Sequence, residues 1–324
     1  MRVLFIGGTG IISSACSELA LKRGHELTLL NRGKSKRPAP AGAEILVADI
    51  RDGEAARSAL GGRKWDAVVD FISFTPEHVE NALAAFEGRT AQYVFISSAS
   101  AYRKPPAALP AVESNLLDNP YWEYSRNKIA CEKLLEEKYR GGWPVTIVRP
   151  SHTYDKTLLP MDGGWYVVER MLKAQDVIVH GDGSSLWTLT HHRDFAVGLV
   201  GLLGQSFALG EAFHITSDEW LSWDEIFRIV GRAFGAEPRI VHAPSDVIAR
   251  FNPEWGAGLL GDKAHSMIFD NSKIRRIVPD FRPSIPFSLG AREIAEWYMA
   301  DPDRRTCDPD FAEKYERILD WARR

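Results

Sequence analysis

The strongest constraint on this chain lies at its start, where Val3-Leu4-Phe5-Ile6 runs into Gly7-Gly8-Thr9-Gly10-Ile11-Ile12-Ser13. Four apolar residues bounded by glycine read as a buried strand. The stretch Ile12 to Arg23 reads as a helix, so strand and helix are joined by one tight turn. A helix start of this kind offers unpaired N–H groups and a positive dipole end to a phosphate. Gly7 allows the turn, and Gly10 allows the backbone to approach a pyrophosphate. The third glycine position is taken by Ser13, small enough for close packing. No Gly-Lys-Ser/Thr follows, which excludes a Walker-type phosphate loop.

Beyond the turn, strand and helix patterns alternate to about residue 150. Candidate strands are Arg2–Ile6, Glu26–Leu30, Glu44–Val47, Ala67–Phe71, Gln92–Ile96 and Val145–Val148, with helices such as Pro76–Phe86 and Trp122–Tyr139 between them. This alternation predicts an α/β fold built on a doubly wound parallel sheet. After Ser151 the alternation fades and tryptophan becomes frequent, at Trp165, Trp187, Trp220, Trp223 and Trp255. We expect a dinucleotide-binding domain over 1–150, with 191–217 returning to it, and a smaller C-terminal substrate lobe from 151–190 and 218–324.

The reacting groups are legible in the middle of the chain. Tyr124 and Lys128 stand four residues apart in a helical stretch, hence on one face. A lysine charge beside a phenol can lower the tyrosine pKa and make it a general base. Ser98 closes the apolar run before that helix and can polarise the same substrate oxygen. Together with the glycine turn, this set indicates a redox enzyme. His191 and His192 are adjacent on an extended segment, where neighbours point to opposite faces, so no metal site is expected there.

In order and spacing these motifs resemble the extended short-chain dehydrogenase/reductase family, which holds sugar epimerases, dehydratases and reductases. The resemblance covers most of the chain. It runs through Asp49-Ile50-Arg51-Asp52, Ser98-Ala99-Ser100-Ala101-Tyr102, Tyr124 and Lys128, and Arg149-Pro150. It continues in Gly181-Asp182-Gly183, His191-His192-Arg193-Asp194-Phe195-Ala196 and Asp270-Asn271-Ser272-Lys273. The chain looks closest to the bacterial epimerase-like branch that also contains chloroplast stem-loop RNA-binding proteins. The resemblance implies a Rossmann fold, with Ser98, Tyr124 and Lys128 catalytic. Tyr124 would exchange the proton of a substrate hydroxyl while hydride moves to or from nicotinamide, and Lys128 would hold the nicotinamide ribose.

The implied cofactor contacts are Gly7, Thr9, Gly10, Ile11, Ile12, Asp49, Ile50, Phe71, Ile72, Ser73, Tyr124, Lys128 and Pro150. At the end of the second strand, Asn31-Arg32-Gly33-Lys34 stands where an acidic residue would select NAD. Arg32 can pair with a 2′-phosphate, and Lys34, Lys36 and Arg37 add charge to that loop. NADP(H) is therefore favoured over NAD(H).

Departures from the family pattern narrow the substrate. Ala99-Ser100 replaces the Asp-Glu pair of the 4,6-dehydratases, which argues against dehydration. His152 stands where the family often has a diphosphate-contacting asparagine, and Trp187 where it often has an arginine. Losing that arginine removes a charge-assisted contact of about 1.5–3 kcal/mol. A tryptophan face suits a sugar or aromatic ring, although Trp187 could equally be core. We expect Ser98, Ser100, His152 and Trp187 to contact a sugar-like small molecule whose hydroxyl or carbonyl reacts by hydride transfer, in an epimerase or reductase.

Composition is compatible with this reading. The 324 residues are 45% hydrophobic and 26% charged with a net charge of −3, so neither nucleic acid nor membrane is an expected partner. Cys16, Cys131 and Cys307 are odd in number and widely spaced, which fits reduced thiols and a cytoplasmic setting. The competing class is a binding protein on the same fold without turnover, either RNA-binding or regulatory with NADP(H) as ligand. A homodimer packing Pro76–Phe86 and Trp122–Tyr139 across its axis is what the resemblance suggests.

Overall fold

The computed structural model describes residues 1–323. Its central sheet takes strands β1 (Arg2–Ile6), β2 (Glu26–Asn31), β3 (Glu44–Val47), β4 (Ala67–Asp70), β5 (Tyr93–Ile96) and β6 (Val145–Pro150). Four short strands follow outside that sheet: β7 (His152–Tyr154), β8 (Asp176–His180), β9 (Leu186–Trp187) and β10 (Leu189–His191). Strand β11 (Ala212–Ile215) then returns to pair with β6, and β12 (Leu221–Ser222) and β13 (Arg239–Ala243) complete the set.

The sheet order is β11-β6-β5-β4-β1-β2-β3, and all six pairings are parallel. This is the expected doubly wound sheet with one further strand. Its order reverses between β1 and β4, and ligands of such sheets bind outside the strand carboxyl ends at that reversal. Each expected strand is present, two with the expected ends and four with an end moved by one or two residues. The outer strand β3 is the amphipathic exception, with Val47 67% exposed at the edge.

Helices cover both faces. Helix α1 (Ile11–Lys22), which directly follows the glycine turn, packs against Phe195 and Leu199 on one face. Helices α2 (Gly53–Leu60), α3 (Pro76–Phe86) and α4 (Glu123–Arg140) cover the other through Ala56, Leu60, Val79, Leu83, Cys131 and Leu135. Asp52 caps α2 and Thr75 caps α3, each accepting an N–H from the first turn. Later come α5 (Trp165–Leu172) and α6 (His192–Leu202). A third core of Trp165, Trp187, Trp223, Trp255, Phe287 and Tyr315 lies in the later segments, where aromatic packing replaces the aliphatic strand code. Trp220 stays outside it, 53% exposed.

Among the described residues, no helix is long and apolar enough to cross a membrane. The three cysteines are free, with Cys16 and Cys131 buried and Cys307 exposed.

Candidate active site

The glycine turn closes on itself before any ligand is considered. Ser13 Oγ accepts the Gly10 N–H at 2.7 Å and donates to the Gly7 carbonyl at 2.6 Å. The departure at the third glycine position is therefore a built-in clamp. Gly7 has φ +86°, and a Cβ there would meet Ile72 Cγ2 at 2.4 Å, so both backbone and space demand glycine. A Cβ on Gly8 would strike Leu29 Cδ2 at 2.3 Å.

Along this turn runs a cavity of about 310 Å³ whose lining includes Gly7, Gly10, Ile11, Ile12, Phe71, Ile72, Ser98, Tyr124, Lys128 and Pro150. Ser73 is buried beneath it, its carbonyl accepting from Lys128 Nζ at 2.7 Å. Thr9, Asn31, Arg32, Asp49 and Ile50 lie outside this lining. Arg32 is half exposed and 3.9 Å from Asp49, an ion pair at the limit of contact. Arg37 does not join it. Its guanidinium crosses the start of α1 to the Gly10 carbonyl and Ser14 Oγ and pairs with Asp155, so its charge is spent away from Arg32.

Helix α4 brings Tyr124 and Lys128 to the mouth of the sheet, and the end of β5 delivers Ser98. A buried network fixes these ends. Glu132 on α4 takes the Arg149 guanidinium from β6 at 2.6 Å and also accepts the Ser97 hydroxyl. Lys128 is 1% exposed, donating to the carbonyls of Ser73 and Ile96 at 2.7 and 2.8 Å, between the rings of Phe74 and Phe95. Burial pushes its ammonium down to about 8, against the opposing charges of Asp70, Cys131 and Glu132.

The tyrosine behaves differently from the sequence expectation. Burial raises the Tyr124 pKa above its ordinary value; a hydrogen bond with Ser98 draws it down and the Asp262 charge pushes it up. Lys128 is not among the groups that move it: Nζ stands 5.9 Å from the ring centre and donates to the carbonyls of Ser73 and Ile96. At neutral pH Tyr124 is therefore a phenol, ready to give a proton. Behind Ser98 stands a row of hydroxyls: Ser125 Oγ donates to Ser100 Oγ at 2.7 Å, which lies 2.8 Å from Ser98 Oγ. With Ser100 accepting from Ser125, its own hydrogen can go to Ser98, leaving the Ser98 hydrogen for the Tyr124 oxygen or for a substrate oxygen that takes its place.

A second cavity of about 380 Å³ opens on the other side of Ser98, Tyr124, Pro150 and Ser151, all four of which line both cavities. Ser100, His152 and Trp187 reach this second space, so the expected substrate contacts are brought together. Trp187 is only 4% exposed and packs 5.7 Å from the Trp223 ring, which makes it wall and core at once. The two histidines behave otherwise than expected. Helix α6 begins at His192, so the rings of His191 and His192 lie 4.8 Å apart instead of on opposite faces. His191 meets Glu293, and His192 meets the Ile11 carbonyl of the glycine turn. Among the described residues, no cluster of three potential metal ligands is present.

The sequence pattern of the NAD dependent epimerase/dehydratase family matches residues 3–215, about two thirds of the chain. The chain belongs to that family. It is thus of the extended short-chain dehydrogenase/reductase type, and the family's dinucleotide is of the NAD type. Two curated members of wider kinship are similar over most of its length. The chloroplast stem-loop binding protein of 41 kDa b from Arabidopsis thaliana is 28% identical over 74% of this chain and 65% of its own, so the match spans just under two thirds of that relative. The 2'-dehydrokanamycin reductase of Streptomyces kanamyceticus is 24% identical over 87% of this chain and 80% of its own. Among solved structures, UDP-glucose 4-epimerase from Bifidobacterium longum in complex with NAD+ and UDP shares the fold. It has a TM-score of 0.75 at 17% identity, covering 94% of this chain and 100% of that one.

Within this epimerase/dehydratase member, sequence reasoning missed three charged groups at the second cavity. Asp262 and Lys263 come from a π-helical turn at Leu259–Lys263 and line the space directly. Burial raises the Asp262 pKa, Lys104 opposes that from 3.1 Å, and Lys104 is itself buried. Lys263 is held by both oxygens of Asp162, at 2.8 and 3.0 Å. No local pattern marks these residues.

Proposed function

We propose that this protein is an NADP(H)-preferring oxidoreductase that reduces or epimerises a sugar-derived carbonyl or hydroxyl by hydride transfer, with Ser98, Tyr124 and Lys128 as the reacting set. One observation carries the proposal: Ser98 and Tyr124 stand in the shared wall of two adjoining cavities, one along the glycine turn and one beyond it. A nicotinamide in the first and a carbonyl carbon in the second would meet at that wall, where the Tyr124 phenol gives the proton in reduction, its phenolate form would take one in the oxidising half of an epimerisation, and Ser98 holds the oxygen. Lys128 would hold the ribose, and the dinucleotide would supply only the hydride. In this reading 1–150 and 191–217 carry the cofactor, and 151–190 with 218–323 shape the substrate space; Arg324 lies outside the described residues.

Dehydration is disfavoured. Ala99 has no acid to offer, and the Ser100 hydroxyl is occupied by Ser98 and Ser125. Among the described residues lining the second cavity, Asp262 is the one carboxylate, already paired with Lys104. NADP(H) preference rests on Arg32 and on the missing carboxylate at the end of β2. The kanamycin-type relative lends weight to a reductase on a glycoside.

The test is mass spectrometry and absorbance of the purified protein, followed by titration with NADPH and NADH. Reversible binding with NADPH the tighter supports a reductase, and a dinucleotide retained through purification supports an epimerase. Binding of neither would refute the enzyme reading and favour a binding protein like the stem-loop relative.

A further inference from the structure

The wall of the second cavity holds a histidine whose protonation state is fixed by a tryptophan. Strand β7 places His152 at the cavity, and β9 places Trp187 beside it, with the indole Nε1 3.3 Å from His152 Nδ1. The rings stand nearly perpendicular, at 86°. An indole N–H can only donate, so Nδ1 must accept and carry no hydrogen. A neutral imidazole that accepts at Nδ1 carries its hydrogen on Nε2, and an imidazolium would aim an N–H at the indole N–H. Trp187 thus selects both the charge and the tautomer of His152.

The surrounding charges agree. Lys263, on the π-helical turn at the same cavity, opposes a positive histidine, and Asp162 opposes that effect from behind Lys263. Burial is the largest influence, and together they push the His152 pKa down to about 3. Asp262 also lines the cavity, but its nearest cation is Lys104. Lys263 is the single cation among the lining residues, and its ammonium is engaged by both Asp162 oxygens.

From this we infer that His152, locked by Trp187 as the neutral Nε2–H tautomer, is a specificity subsite that donates a hydrogen bond to an uncharged substrate oxygen, a hydroxyl, ring or carbonyl oxygen, and not to a diphosphate. The inference rests on reading the second cavity as the substrate site. Trp187 is then a positioning residue: it acts through His152. An uncharged N–H discriminates by geometry without attracting anions, and the cavity holds no free cation to neutralise two phosphates.

The experiment is nitrogen-15 NMR of the imidazoles in protein labelled at its nine histidines, with His152→Asn assigning the signal. In the wild type the His152 nitrogens should show the Nε2–H tautomer unchanged between about pH 5 and 8, the range in which free histidines titrate. In Trp187→Phe, which keeps a ring but removes the donor, the signal should become a mixture of tautomers. A wild-type His152 that titrates near pH 6, or carries its hydrogen on Nδ1, overturns the inference even if Trp187→Phe fails to fold. Millimolar UDP should leave the His152 signals in place; shifts saturating at micromolar UDP would overturn the ligand class. Dinucleotide titration of the same sample tests the proposed function separately, so either claim can fail alone.

Discussion

Replacing Arg149 with methionine removes the ion pair that holds the ends of β5, α4 and β6 together beneath the reacting groups, along with two bonds to neutral acceptors, Tyr102 Oη and the Glu113 carbonyl, whose loss does not depend on pH in this range. The arginine side chain is 4% exposed and Glu132 is fully buried, joined by contacts of 2.6, 3.0 and 3.1 Å. Methionine fills much of the volume but leaves the Glu132 carboxylate with the Ser97 hydroxyl alone. Stranding a buried charge costs about 3–5 kcal/mol. The loss has a ceiling, because a stranded carboxylate can take a proton instead. Protonating an ordinary glutamate, pKa about 4.3, costs about 3.7 kcal/mol at pH 7 and about 1 kcal/mol at pH 5. The deficit should therefore be about 3–4 kcal/mol at pH 7 and shrink towards about 1 kcal/mol at pH 5. The sign follows from proton linkage. Between these pH values the folded variant holds a proton that its unfolded chain has released, so its stability falls as pH rises. Urea unfolding of wild type and variant at pH 5, 6 and 7 measures the difference; groups out of reach of Arg149 cancel, and His214, which Arg149 pushes down, is relieved in the variant and adds to the same trend. A deficit that is the same at every pH, or below about 1 kcal/mol at pH 7, would refute the reasoning.

Three further outcomes are expected. Tyr124→Phe should lower kcat/KM for the substrate accepted by the wild type by about 10²–10⁴, with urea stability within about 1 kcal/mol; steady-state nicotinamide absorbance and a urea titration check both, and full activity would remove Tyr124 as the proton donor. Arg32→Ala should weaken NADPH binding about tenfold and leave NADH unaffected. That is the low end for a charge-assisted contact, since Arg32 is half exposed and already near Asp49; equal losses for both dinucleotides by fluorescence titration would contradict the assignment. Lys128, with its pKa lowered to about 8, sheds its proton in the folded state before the unfolded chain does. Between about pH 8 and 10 the unfolded state binds more protons, so wild-type stability should gain relative to Lys128→Met as pH rises, and a constant difference in urea midpoint would count against that burial penalty.

Much of the fold could be read from the chain because the sheet strands are continuous apolar runs, a code that is local. The same holds for Gly7, Tyr124 and Lys128: turn geometry and helix spacing place them without knowledge of distant residues. Asp262 and Lys263 were invisible because 158 residues of sequence separate Lys104 from the carboxylate it meets, and nothing near either one announces the other. The histidine pair was misread for a smaller reason. The sequence pattern reads as extended throughout, whereas α6 starts at its second histidine and brings the two rings within 4.8 Å. Arg37 was counted with its neighbours in sequence, while its partner, Asp155, stands after β7. Tyr124 shows the limit of pairwise reasoning: the lysine is on the right face, but two carbonyls compete for its hydrogens.

The aromatic core that carries Trp187 and Trp223 is separate from the two aliphatic cores that clamp the parallel sheet. Changes at sites that share no partners tend to add independently. Changes at His152 or Trp187 should therefore reshape the second cavity while the glycine turn keeps its stability, whereas Asp262 reaches the Glu132–Arg149 anchor through Lys104 and Tyr102. On the proposed reading, the groups that would hold the dinucleotide and most of those that would shape the substrate space rest on different cores of the same chain.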